Sequence, residues 1–243
     1  MPNHATRPWA LYSLVAWTGG GVFVGSLLWF LYCYTVRFQA GRSTTPAMVA
    51  ITHDVLTFSL FAAHHSAFAR PRLKRWIATI VPPELERSLY TWIASILFIL
   101  VCSWWAPLPG VLYTLSGGWA LIAHAVQVVA IGLTIQSSAA LGMLDLAGVS
   151  PLARARKGEP ASHVPLETHG LYGFVRHPLY FSWALFVFTT PAMTATRALF
   201  AVVSTAYLAI AIPWEERSLI AAFGTEYEAY QRRVRWRMIP GIY

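Results

Sequence analysis

Long, nearly uncharged apolar runs constrain this chain more than any other feature. They occupy about 10–34, 47–69, 86–106 and 117–140. A bilayer core about 30 Å thick is crossed by roughly 20 apolar residues, and each run meets that length. In lipid a segment must satisfy its backbone polar groups internally, so each run is expected to be a helix. A fifth run, Leu179 to Trp214, is about 36 residues and too long for one span. Thr190-Pro191-Ala192-Met193-Thr194 interrupts it with turn chemistry, which predicts a tight helical hairpin. The expected fold is all-α and polytopic, with five to six transmembrane helical elements, the C-terminal hairpin and a cytoplasmic C-terminal helix. Residues 1–243 are expected to form a single membrane domain. In it, 1–140 supply a four-helix part and 141–243 the connector, hairpin and tail.

Composition supports this. Hydrophobic residues make up 56% of the 243 and charged residues 12%, against roughly 25% charge in soluble domains. Mean hydropathy is +0.51. The 11 Trp, 11 Tyr and 13 Phe supply interface anchors. A water-soluble globular enzyme, a disordered chain, collagen and a disulfide scaffold are all excluded. Cys33 and Cys102 lie in apolar runs and behave as small hydrophobes. The first run exceeds the 7–15 residue core of a signal peptide and is expected to remain as a transmembrane helix.

The net charge of +8 would suit a nucleic-acid partner in a soluble chain, but in a membrane chain basic residues set orientation. With both termini in the cytoplasm, every Lys and Arg except Arg37, Arg42 and Arg197 falls inside. The expectation is therefore an integral protein of a bacterial inner membrane, in contact with membrane lipids, with both termini cytoplasmic and no nucleic acid bound. The cytoplasmic face then carries 70–87, the connector 141–178 and the tail 215–243. The connector, with Pro151, Gly158, Pro160, Pro165 and Gly170, reads as irregular and functional. In the tail, Leu219, Phe223, Tyr227, Tyr230 and Val234 recur on one helix face, broken at Gly224. Thr225-x-x-Glu228 forms a capping box that restarts the helix.

Several chemical signals carry bland readings beside the functional ones. Gly19-Gly20-Gly21 lacks the preceding strand of a dinucleotide fold, and Gly21-x-x-x-Gly25 is expected to be a helix-packing face. His53, Asp54, His64 and His65 lie in the second run, where ionisable residues are costly and so are functional candidates. His53 and His64, 11 residues apart, are about 16 Å apart along a helix, too far for one ion. Metal or haem ligation with help from His124 or Asp145, structural polar contacts, and substrate-site roles all stay open. Glu84, Glu86 and Arg87 after Pro82-Pro83 fit an ordinary helix start.

The richest segment is 170–182, GLYGFVRHPLYFS. Pro178 opens a helix whose free N–H groups suit an anion, and Arg176 adds a bidentate donor. Glu215-Glu216-Arg217 stands at the other end of the hairpin. Carboxylates there accept hydrogen bonds from hydroxyls or an amino group, although a charge cluster that merely anchors helix ends has the same residues.

These residues, followed by Phe223-Gly224-x-x-Tyr227-x-x-Tyr230, closely resemble the isoprenylcysteine carboxyl methyltransferase and phospholipid methyltransferase superfamily over about the last 75 residues. The resemblance implies an integral membrane S-adenosylmethionine-dependent methyltransferase with cofactor roles for Tyr172, Arg176, His177, Pro178, Tyr180, Glu215 and Glu216. Ser182 departs from the glycine common there. Upstream, His65-Ser66-x-x-Ala69-Arg70-Pro71, Glu86-Arg87-Ser88-x-Tyr90 and Trp105-x-Pro107 resemble the subgroup of methanethiol S-methyltransferases and NnrU-like proteins. The acceptor implied is a small molecule or lipid-like: a thiol, or an isoprenylcysteine-like carboxylate. A thiol of pKa near 8.5 is only a few per cent ionised at neutral pH, so His65 and Arg70 are the candidate catalytic residues that promote its deprotonation. No metal is required. The alternatives are a non-catalytic NnrU-like accessory protein and an NADPH-dependent sterol-type reductase.

Overall fold

A computed structural model describes residues 8–39, 45–68, 71–159 and 165–243. Helices dominate: α1 (Trp9–Tyr32), α2 (Ala47–Phe68), α3 (Pro71–Ile77), α4 (Glu86–Trp104), α5 (Gly117–Ala140), α6 (Met143–Leu146), α7 (Val149–Arg156), α8 (Pro178–Phe188), α9 (Ala195–Phe223) and α10 (Thr225–Arg233). Five of these segments are long and apolar enough to cross a membrane: α1 with the π-helical turn that continues it to Arg37, α2, α4 with its leading turn, α5 and α9. Their exposed faces carry Leu14, Leu56, Leu121, Val128 and Ile210, while Ser26, Ser88, Ser95, Gln127, Ser137 and Ser204 are buried. Small and polar residues inside with apolar residues outside is the arrangement lipid imposes. The chain is an all-α polytopic integral membrane protein.

The described residues fall into two compact units, each assembled from discontinuous segments. The first comprises 1–33, 59–104 and 142–164. Here α1 packs along α4 and against α7. The close approach falls at Gly19, where an added Cβ would stand 2.8 Å from the Trp92 ring, whose Nε1–H donates to the Val15 carbonyl at 2.9 Å. Gly21 and Gly25 face open space. Within this chain the close contact of α1 thus falls at Gly19, two residues before Gly21, because the Trp92 indole selects the position that must lack a side chain. The connector is also more ordered than expected over 143–156. Val149 and Leu152 of α7, with Ala147, pack around Ala16 of α1, and that burial favours α7 as a helix.

The second unit comprises 34–58, 105–141 and 165–243. Helix α5 packs on α8, and α8 on α9. The hairpin is present but its arms are unequal. Helix α8, 11 residues, is about 16 Å long, whereas the 29 residues of α9 run about 44 Å, beyond a 30 Å core. Helix α9 therefore continues through Glu215 and Glu216 instead of ending before them. The turn between the arms contains a strand, β2 (Ala192–Thr194), which pairs antiparallel with β1 (Val111–Thr114). Sequence periodicity gave no warning of these short strands. Thr194 caps α9, its Oγ1 accepting from the Arg197 N–H at 3.1 Å. Buried Arg197 donates to the carbonyls of Tyr34, Thr35 and Ala192 at 2.6–2.8 Å, so its guanidinium and three backbone acceptors satisfy one another.

Candidate functional site

Pro178 occupies the first position of α8, as its fixed φ and missing N–H favour. The two residues before it are held by the C-terminal segment: the Arg176 N–H donates to the Trp236 carbonyl at 2.9 Å and the His177 N–H to the Arg237 carbonyl at 2.7 Å. Arg176 is buried. Its Nε donates to Glu216 Oε1 at 2.6 Å and its NH1 to the carbonyls of Val234 and Arg235 at 2.7 and 2.9 Å. Glu216 Oε2 accepts from Gln231 Nε2 at 3.2 Å and lies 3.3 Å from Arg237 Nε. A buried carboxylate among three donors is strongly favoured as the anion. The anion-binding role expected for Arg176 is thus filled from within: Glu216, one turn along α9 from the helix's buried Ile212, takes its guanidinium. Gln231 and Arg237 went unremarked in the sequence, since only the return of the tail past α9 gives them a partner.

Glu215, the neighbouring residue, faces the other way. Its side chain is 44% exposed against 4% for Glu216. Tyr180 donates its phenolic O–H to Glu215 Oε2 at 2.8 Å and stacks on the His177 ring, centroids 5.3 Å apart and planes at 7°. His177 Nδ1 lies 3.6 Å from Glu215 Oε2 and its Nε2 3.5 Å from Glu216 Oε1. One imidazole therefore bridges a buried carboxylate and an open one.

Tyr172, in the turn Gly170–Gly173, is buried. Its carbonyl accepts from the Tyr230 O–H at 2.7 Å, and its own O–H donates to the Ser137 carbonyl at 3.4 Å. Desolvation by burial, the largest cause, raises the pKa of Tyr172, Tyr227 and Tyr230, and nearby carboxylates raise it further. All three stay neutral phenols. Beside Tyr172 is a cavity of about 210 Å³ lined also by Gln136, Ser137, Glu167, His169 and Gly170. The charge of Glu215 is felt at Tyr172. Leu219, Ile220 and Phe223 pack with Tyr227, Tyr230 and Val234 beneath this assembly, as the periodicity predicts. The expected capping box does not form. Gly224 is the N-cap of α10, with φ at +56°, which leaves Thr225 as the first helical residue without a side-chain cap.

All seven expected cofactor residues thus lie in the second unit, with Arg176, His177, Tyr180, Glu215 and Glu216 in mutual contact. Of the two expected catalytic residues, only His65 is among those described. Arg70 lies outside the described residues. His65 belongs to the first unit, where its ring meets Tyr90 edge-on at 5.6 Å and Phe61 at 5.9 Å. His64 stacks on Tyr90 at 5.8 Å, and neither of its buried ring nitrogens has a hydrogen-bond partner. Arg87 lies over the same Tyr90 ring at 5.2 Å. Asp54, in the second unit, accepts from His53 Nδ1 at 3.0 Å and the Ala106 N–H at 2.8 Å, a structural use of a buried carboxylate. Asp145 pairs with Arg154. Among the described residues no group of three or more metal-ligating side chains gathers.

The family model described as "Protein of unknown function (DUF1295)" matches residues 95–234, which contain almost all of this assembly. Over 96% of its length the chain is 36% identical to Methanethiol S-methyltransferase 2 of Bradyrhizobium diazoefficiens, covering 90% of that protein. It is 32% identical to Methanethiol S-methyltransferase of Mycobacterium tuberculosis over 78% of each. A more distant relative is Protein-S-isoprenylcysteine O-methyltransferase of Schizosaccharomyces pombe, 27% identical over 63% of the chain and 74% of that protein. No solved structure matches. The apolar helices and these relatives define an integral membrane methyltransferase. The chain belongs to the DUF1295 family, within the isoprenylcysteine methyltransferase-like superfamily.

Proposed function

We propose that the protein transfers a methyl group from S-adenosylmethionine to a small thiol, with the cofactor held at the start of α8. The observation that carries this reading is the division of labour between two adjacent carboxylates. Glu216 is consumed by Arg176, Gln231 and Arg237, while Glu215 is left open beside Tyr180 and His177. The donor set fits the cofactor. An amino-acid carboxylate suits the N-terminus of α8. An ammonium or ribose hydroxyls suit Glu215. The cavity at Tyr172, mostly apolar with Glu167 and Gln136 in its lining, suits the base of a nucleoside. Arg176, Pro178 and Glu216 contribute by fixing the turn that presents these groups. When bound, the cofactor supplies an electrophilic methyl group on a sulfonium, so the chain's task is to position the acceptor and exclude water.

The thiol reading is supported by relatives named methanethiol S-methyltransferase that align over most of the chain. His65 is assigned to receive the thiol proton, and Arg70 to favour the thiolate by its charge. The site is placed on the cytoplasmic face of a bacterial inner membrane, both termini inside, because that orientation leaves only Arg37, Arg42 and Arg197 outside.

Detergent-purified protein titrated separately with S-adenosylmethionine, S-adenosylhomocysteine and NADPH tests the cofactor. A ligand at 100 times its Kd stabilises by about 2.7 kcal/mol. The adenosyl compounds are expected to raise the unfolding midpoint, and Glu215→Ala to abolish the shift. A response to NADPH alone would overturn the proposal. Methylated product from methanethiol, with none from an isoprenylated cysteine, fixes the acceptor class. The reverse result replaces the thiol by a carboxylate. Loss of turnover in His65→Ala with cofactor binding retained is expected, and unchanged turnover removes His65 from the reaction.

A further inference from the structure

Along one face of α9 the chemistry changes in a fixed order. Ile210 is 67% exposed and Trp214 49%, and Arg217 is exposed three residues further on. At 1.5 Å per residue Trp214 lies about 6 Å beyond Ile210, and Arg217 about 4.5 Å beyond Trp214. Apolar, aromatic and basic is the order in which one leaflet of a bilayer presents hydrocarbon, interface and headgroups. The Arg217 guanidinium packs over the Trp214 ring at 4.8 Å, joining the last two levels.

The end of α10 returns to this turn of α9. Gln231 and Arg237 both reach Glu216, the residue before Arg217. Arg232, Arg233 and Arg235 belong to the segment that Gln231 and Arg237 tie to this turn, and all three are exposed, as is Trp236. Arg233 also covers the Tyr230 ring at 5.9 Å. Among the described residues none of Arg217, Arg232, Arg233 and Arg235 is paired with a carboxylate. The acidic residues of α10, Glu226 and Glu228, lie in its first turn, where they complement the helix dipole. Arg217 thus continues a lipid-facing apolar stripe, and three further guanidinium groups without a carboxylate partner stand on the segment tied to the same turn. Guanidinium is the side chain best matched to a phosphodiester oxygen pair.

We propose that Arg217, Arg232, Arg233 and Arg235 form a binding surface for anionic phospholipid headgroups, which seats the turn carrying Glu215 and Glu216 at headgroup depth. The surface is independent of which acceptor is methylated. The test reconstitutes the full chain in nanodiscs of phosphatidylcholine with a minority of phosphatidylglycerol, and quantifies by mass spectrometry the lipid retained after a mild detergent wash. The wild type is expected to enrich phosphatidylglycerol over the bulk ratio. Each Arg→Gln substitution should reduce that enrichment by about fivefold at low salt, equivalent to about 1 kcal/mol per charge. Raised salt should diminish it, Arg→Lys at the same positions should reduce it less than Arg→Gln because the charge is kept and the bidentate fork is lost, and free glycerol phosphate should not compete. No enrichment by the wild type, enrichment indifferent to salt, or equal retention by the Gln variants would overturn the proposal. Should the quadruple variant fail to fold, the single variants and the wild-type salt series decide the question.

Discussion

Glu215 and Glu216 share a peptide bond and a residue type, yet their environments give them opposite duties. Removing the charge of Glu216 leaves the Arg176 guanidinium buried without its counter-ion, a change that costs about 3–5 kcal/mol in comparable sites. Glu216→Gln is therefore expected to lower the unfolding midpoint in detergent sharply. Glu215→Gln, at an exposed position, is expected to shift it little while weakening cofactor binding. Equal midpoints for the two variants would contradict the division drawn here. The tyrosines make a second contrast. The Tyr230 O–H donates to Tyr172, whereas the buried Tyr227 O–H has no partner. Tyr230→Phe should cost about 1 kcal/mol, and Tyr227→Phe should be neutral or stabilising, because it removes an unsatisfied buried group. Both phenols, with Tyr172, have pKa values raised above the ordinary 10.0. Their contribution to stability is complete below pH 10 and is lost as pH rises toward their folded values. The midpoint should accordingly fall on alkaline titration above pH 10, less steeply in Tyr227→Phe.

At the scale of elements, glycine positions separate packing from permissiveness. Gly19 touches the Trp92 indole, which is tied to α1 by its hydrogen bond to Val15, so the ring cannot retreat without losing it. Gly19→Ala is expected to destabilise by about 1–3 kcal/mol, as other small-to-large changes in packed cores do. Gly21→Ala, facing open space, should be neutral or slightly stabilising through helix propensity. Thermal midpoints of the two variants check this, and the reverse order would move the packing face back to Gly21. The unequal hairpin belongs to the same scale. Apolar content marked out both arms, and Pro178 marked where α8 begins. The length of α9 beyond Trp214 was hidden, because Glu215, Glu216 and Arg217 read as the end of a span and not as a helix continuing into polar surroundings. Likewise β1 and β2 escaped notice. Three or four residues carry too little periodicity to announce a strand that exists only because its partner supplies the hydrogen bonds.

For the whole molecule, orientation follows from where the basic residues fall. A reporter fused after Tyr243 is expected to be reachable only from the cytoplasmic side of intact cells, and one placed near Leu115 only from the outside. Labelling of Tyr243 from outside would invert the topology and with it the proposed face of the site. Taken by itself, the sequence determined that the chain is a helical membrane protein, since only internally hydrogen-bonded segments survive in lipid. It also singled out the residues around Arg176, His177, Pro178 and Glu215, since their types and order are dense in donors and carry the resemblance. It determined the aromatic face from Leu219 to Val234, since period alone sets which residues of a helix meet. Tertiary structure alone decided that Arg176 pairs with Glu216, that Gln231 and Arg237 complete that carboxylate's shell, and that the close contact of α1 falls at Gly19. Each of those outcomes depends on which segment returns to which turn. That is a long-range property: a buried charge takes whichever partner the fold brings within hydrogen-bonding reach, and no local pattern encodes that partner.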